Sequence, residues 1–155
     1  SQITEKADAL LFLSLISGRN PEYLIEQQVR SVEKLVKMDL EVIPTGYILV
    51  DGGVECAVHR KSNTIPIPQQ EVKKIVHTAL AGQYSGKKLI YLEAGSGAKI
   101  PVSQEVIRAV KRAISIPLLV GGGICSGEKL SEAYTAGADM VVIGTAFESG
   151  NFFTL

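Results

Sequence analysis

Apolar runs alternate with helical periodicity along the whole chain. ADALLFLSLIS, residues 7–17, is almost continuously apolar, the pattern of a strand covered on both faces. Asn20-Pro21-Glu22 then opens a helix with a cap, a proline in the first turn and an acid at the positive end; Ile25, Val29, Val32 and Val36 share one face of it. The pattern predicts a second strand over residues 41–50, EVIPTGYILV, with Pro44 limiting pairing near its start. A connection rich in turn formers, DGGVECAVHRKSNTIPIP, leads to a second helix, QQEVKKIVHTALAG. On that helix Val72, Ile75, Val76 and Ala79 are in register, and Gly82 suits the C-cap. A third strand is predicted over residues 88–93, and a third helix starts at Ser103 and carries Val106, Ile107 and Val110. The fourth strand is IPLLV, residues 116–120; a fourth helix runs from Ser126 to near Gly137, and ADMVVIG, residues 138–144, is the fifth strand.

Strands separated by helices mean parallel βαβ units. Two architectures compete, an open doubly wound sheet and an eight-stranded barrel. GSGAKIP after the third strand fails the GxGxxG pattern of dinucleotide-binding open sheets, because the third glycine is missing and Pro101 intrudes. Glycine-rich loops after the last two strands favour the barrel, where the loops after strands seven and eight commonly bind phosphate. The expected fold class is therefore α/β, the (β/α)8 TIM-barrel family. Only five strands are predicted, so the chain is expected to hold the C-terminal five βα units with the N-terminal strands missing, as one partial barrel domain over residues 1–155.

Composition narrows the partners. Sixteen basic and sixteen acidic residues cancel, which leaves no electrostatic footprint for nucleic acid and no polybasic membrane anchor. No apolar run reaches the roughly 18 residues of a transmembrane segment, and SQITEK lacks the charged and apolar regions of a signal peptide. Cys56 and Cys125 stand far apart and read as reduced thiols; neither makes metal-ligand spacing with His59, placed in a loop, or His77, on a polar helix face. A cytoplasmic location is the expectation.

Candidate chemistry gathers at the predicted strand ends. YLEAGSGA ends the third strand on a carboxylate, Glu93. Alternation puts Tyr91 and Glu93 on one side and Leu92 on the other. In a parallel barrel that end carries the ligand, so Glu93 can accept hydrogen bonds from substrate hydroxyls. Ala94 leads into Gly95-Ser96-Gly97, where backbone N–H groups can approach an anion closely. Gly121-Gly122-Gly123 ends the fourth strand and Gly144-Thr145 the fifth. Two successive glycine-bearing ends read as one phosphate cradle. Tyr47 reads as a core aromatic, Asp51-Gly52-Gly53 as a turn, Arg19 as a solvated loop residue, and Lys87 and Lys88 as surface charges at the opposite end.

PTGYILVDGG, ALAGQYSGKKLIYLEAGSGA, IPLLVGGGI and AGADMVVIGTAFE together resemble the geranylgeranylglyceryl phosphate synthase family, related to the heptaprenylglyceryl phosphate synthases; the resemblance runs from Ala7 to Glu148. It implies a modified TIM barrel that joins a prenyl diphosphate to the C3 hydroxyl of sn-glycerol 1-phosphate, in ether phospholipid biosynthesis, with Mg2+. It maps the glycerol phosphate onto Tyr91, Leu92, Glu93, Ala94, Gly95, Ser96 and Gly97, then Gly122, Gly123, Gly144 and Thr145, with Glu93 and Tyr91 in the catalytic roles. Thr145 stands where the family often has asparagine. The family's metal ligands lie in DPDK-like and GGS-like segments, and neither segment occurs in this chain. Tyr47 and Phe12 are candidates for the prenyl groove, and a homo-oligomer is the implied assembly. Another phosphate-binding barrel isomerase or synthase, or an inactive fragment retaining a phosphate site, is the alternative.

Overall fold

The computed structural model describes residues 3, 4 and 6–150. Its centre is a five-stranded sheet in the order β1-β2-β3-β4-β5. The strands are β1 (Ala9–Leu15), β2 (Glu41–Leu49), β3 (Leu89–Glu93), β4 (Leu118–Gly121) and β5 (Met140–Val142). Every neighbouring pair is parallel. Strand order that follows chain order, with helical crossovers, is the construction of a βα barrel.

Helices α3 (Val72–Tyr84), α4 (Gln104–Ala113) and α5 (Gly127–Ala136) cover one face of the sheet. Ile48, Ile90, Leu92 and Val120 point into this layer and meet Ile75, Val106 and Val110, all fully buried. Because side chains alternate, the other face belongs to Thr45, Tyr47 and Leu49 of β2, to Leu89, Tyr91 and Glu93 of β3, and to Leu119 and Gly121 of β4. The predicted caps form. Ser103 accepts from Val106 N–H and Ser126 from Lys129 N–H, both at 3.3 Å, and Gly137 ends α5 at φ 113°.

Four expectations are corrected. The apolar stripe Ile25, Val29, Val32 and Val36 does not enter the core; all four are exposed on α1 (Gln27–Leu35), just after it, and on the π-helical turn Glu22–Glu26 before it. The residue α1 buries is Gln28, whose amide donates to the Leu13 carbonyl at 2.6 Å, so this helix is held to β1 by a polar contact. The long connection after β2 contains helix α2 (Ala57–Ser62), and His59 lies in it rather than in a loop. Gly82 lies inside α3 instead of capping it; a Cβ there would stand 2.7 Å from Ile16 Cδ1, so glycine permits the helix to close on the sheet. Finally, Leu11 and Leu13 of β1 and Met140 and Val142 of β5 are exposed on the inner face, since each strand is paired on one side only among the described residues.

At the end opposite the candidate site, Asp139 ties three elements together. Its carboxylate accepts from Leu118 N–H at 2.7 Å and from Lys111 Nζ at 2.6 and 2.8 Å. Burial pushes its pKa up, but the Lys111 hydrogen bond, the Leu118 N–H and the Lys111 charge outweigh that and hold it below the usual carboxylate value. A depressed native pKa adds stability above the unfolded value, about 3.9, and loses it as pH falls through the native value. Asp139→Asn should therefore lower the melting temperature at neutral pH by an amount equivalent to about 1 kcal/mol or less, because more than a third of each partner is exposed. The gap between the two proteins should close in acid, which a pH series of thermal melts measures.

Candidate functional site

Register sets the site. Leu49, Glu93, Gly121 and Val142 form one row across β2 to β5 at the carboxyl ends, and Tyr47, Tyr91, Leu119 and Met140 form the row beneath. A row of four side chains would ordinarily fill a barrel mouth. Here glycine at position 121 leaves room, because a Cβ on it would stand 2.6 Å from both Glu93 Oε2 and Tyr91 Oη. The carboxylate therefore lies across the ends of the neighbouring strands. A Cβ on Gly122 would likewise meet Glu93 Oε1 at 2.7 Å and Gly95 N at 2.7 Å, and Gly122 sits at φ 85°.

Glu93 is buried, and its charge is answered locally. Gly95 N–H donates to Oε1 at 2.8 Å and the Tyr91 hydroxyl donates to the same carboxylate. Burial raises the Glu93 pKa above the ordinary value, and these two hydrogen bonds offset only part of the rise. Both tyrosines of the lower row are held protonated, first by burial and then by the Glu93 charge. Their rings meet edge to face, centroids 5.0 Å apart.

A cavity of about 500 Å³ opens over this carboxylate. Tyr47, Tyr91 and Glu93 form its floor; Ser96, Gly97, Gly122, Gly123, Gly144 and Thr145 line its glycine-rich side. Ser96 and Thr145 hydroxyls lie 3.1 Å apart, which joins the loops after β3 and β5 directly. The structure thus brings nearly all the sequence-nominated residues together. Leu92 is the exception in β3, since its side chain points into the helix layer, and Ala94 is buried beside it; neither lines the cavity. Phe12 pairs with Pro44 and so lies on the face opposite Tyr47, outside the cavity. Cys56 and Cys125, read from the sequence as ordinary thiols, both line it. Tyr47 shares alternation parity with Leu49 and stands in register with Tyr91, a signal that needs the strand pairing to be seen.

Fold and site together define a βα-barrel protein with a buried carboxylate and glycine-rich loops lining a cavity at the strand ends. The chain belongs to the PcrB family, whose model matches residues 1–152. It is 64% identical over 151 residues to the geranylgeranylglyceryl phosphate synthase of Zunongwangia profunda, covering 97% of this chain and 64% of that one. The Pyrococcus furiosus protein of the same name is 45% identical over 147 residues, 95% of this chain and 58% of that one. Among solved structures, (S)-3-O-geranylgeranylglyceryl phosphate synthase from Thermoplasma acidophilum, in complex with substrate sn-glycerol-1-phosphate, superposes with a TM-score of 0.88 at 41% identity, covering 94% of this chain and 58% of that chain. The chain thus spans less than two thirds of the length of these relatives.

Proposed function

We propose that the cavity binds sn-glycerol 1-phosphate and that the chain serves prenyl transfer to its C3 hydroxyl, in ether phospholipid biosynthesis. The observation that carries this reading is the Glu93 carboxylate lying against Gly121 and Gly122, within reach of the cradle closed by Ser96 and Thr145. Backbone N–H groups of the glycine loops at positions 95–97 and 122–123 hold the phosphate, with Gly144 and Thr145 on its far side. Glu93 accepts hydrogen bonds from the glycerol hydroxyls, and Tyr91 orients the carboxylate and the substrate. The C3 oxygen then attacks C1 of the prenyl diphosphate. The new C–O bond forms as the bond to diphosphate breaks; diphosphate leaves with the electron pair and the hydroxyl proton passes to Glu93. A raised carboxylate pKa makes Glu93 a better base for that step. Tyr47, beside Tyr91, borders the reacting carbon.

Mg2+ is the cofactor that this reading carries from the family. The donors present do not fit a resident ion: among the described residues no three His, Cys, Asp or Glu side chains form a metal-binding group, and Glu93 is the one carboxylate lining the cavity. The reading includes a homo-oligomer, supported by the exposed apolar stripe of α1, and a cytoplasmic location; no helix among the described residues is long and apolar enough to cross a membrane.

The test is ligand discrimination. sn-Glycerol 1-phosphate should raise the melting temperature, while glycerol without phosphate and a panel of sugar phosphates should not, since a ligand stabilises only the state that binds it. An equal shift with the sugar phosphates would overturn the assignment in favour of a different phosphate-binding barrel.

A further inference from the structure

We infer that the face around Ile65 docks on an anionic lipid bilayer, with Ile65 entering the headgroup layer and Arg19, Lys61 and Lys73 lying on lipid phosphates. Ile65 is 80% exposed, in the loop that links α2 to α3. That loop follows β2, and Ile67 pairs with Val50 at the strand's carboxyl end, the end of the sheet that also carries the cavity. The loop after β1 is packed against it. Asn20 Nδ2 donates to the Ser62 carbonyl at 2.9 Å, and a Cβ on Gly18 would stand 2.6 Å from Thr64 Oγ1. This contact brings Arg19 beside the Ile65 loop. Arg19 also borders a groove of about 790 Å³ with Lys73, Lys74 and His77 of α3.

Basic residues outnumber acidic ones here, even with the exposed Asp51, whose N–H donates to the Ile67 carbonyl. Lys74 is paired with Glu71 at 2.9 Å and Arg60 with Glu55 at 3.9 Å, but no ion pair among the described residues engages Arg19, Lys61 or Lys73, all exposed. In a chain of net charge zero, this local excess is a matter of placement. Exposed basic residues on the elements that flank one exposed aliphatic side chain suit a fluid anionic surface better than a protein interface, which needs about 800 Å² from each partner. The prenyl-transfer reading supplies a reason for such a contact, because a prenyl donor dissolves in lipid.

The experiment uses the whole chain and vesicles of phosphatidylcholine, alone or mixed equally with phosphatidylglycerol. The protein contains no tryptophan, so Ile65→Trp introduces a single indole fluorophore at the proposed contact. Sedimentation with the anionic vesicles is expected, weakened in about 0.5 M salt and nearly absent for the neutral ones. Emission from the introduced indole should shift to the blue and be quenched by brominated lipid. Each basic residue at an anionic surface is worth about fivefold, so the triple variant Arg19→Gln, Lys61→Gln, Lys73→Gln should bind about a hundredfold more weakly with an unchanged melting temperature. Absence of sedimentation overturns the inference, and so does binding that the triple variant leaves intact or that leaves the fluorophore in water. None of these readings depends on transfer or on glycerol phosphate, so this inference and the cavity assignment fail separately.

Discussion

Glu93→Gln should weaken sn-glycerol 1-phosphate binding by about 10- to 100-fold without lowering the melting temperature at neutral pH. The first half follows from what the carboxylate offers. A charged acceptor is worth about 1.5–3 kcal/mol to a hydrogen-bonded hydroxyl, and the neutral amide returns only part of that. The second half follows from burial. The native pKa of Glu93 is raised, first by desolvation, so keeping it ionised works against folding. For a carboxyl group with a raised native pKa, the stabilising contribution belongs to the protonated form and is lost as pH rises through the native value. Removing the charge therefore leaves stability at neutral pH unchanged or higher. Gln can still accept from Gly95 N–H. Transfer, in which Glu93 is proposed to take the proton, should fall by about 10²- to 10⁴-fold, and in the unaltered protein it should fall as pH drops below the raised pKa. Calorimetric titration and a thermal melt on the same sample are the measurements. Unchanged affinity would remove Glu93 from the site; a collapsed fold would show it to be structural.

Gly122→Ala should abolish the cradle. Position 122 has φ 85°, where an L side chain is strained, and its Cβ would stand 2.7 Å from Glu93 Oε1 and from Gly95 N and 2.9 Å from Ala94 N. Two of these three neighbours are backbone, so the methyl group cannot be accommodated by turning a side chain. It must push the carboxylate off the Gly95 N–H or move the loop. Strain of this kind is worth about 1–3 kcal/mol, and glycerol-phosphate affinity should drop at least about 100-fold through the displaced carboxylate. Gly86→Ala is the matched control. Gly86 has φ 87° with nothing within 4 Å of the added Cβ, and it precedes β3 at the far end of the barrel. It should lose stability to a similar backbone penalty and keep its affinity. Equal affinities for the two variants would show that position 122 only turns the chain.

Much of this arrangement was legible before any coordinates. Near-continuous apolar runs such as residues 88–93 and 116–120 read as strands because both faces of β3 and β4 are buried, as they prove to be. Ser103, Ser126 and Gly137 marked helix ends because capping is local chemistry. Gly82 misled because one residue type serves two ends: it caps helices, and it also lets a helix approach a sheet. The stripe on α1 misled because a hydrophobic period reports a face that prefers cover without saying what covers it.

The sequence by itself determined the alternation of elements, the parallel sheet that alternation requires, and the placing of Glu93 and the glycines at strand ends. These depend on periods of two and 3.6 residues and on turn chemistry, all of which act within a few residues. Only the tertiary structure decided that Gly121 makes room for Glu93, that Tyr47 stands over Tyr91, and that Ser96 reaches Thr145 across the mouth. Those relations join residues 28 to 49 positions apart, and they are set by strand register, which no local pattern specifies.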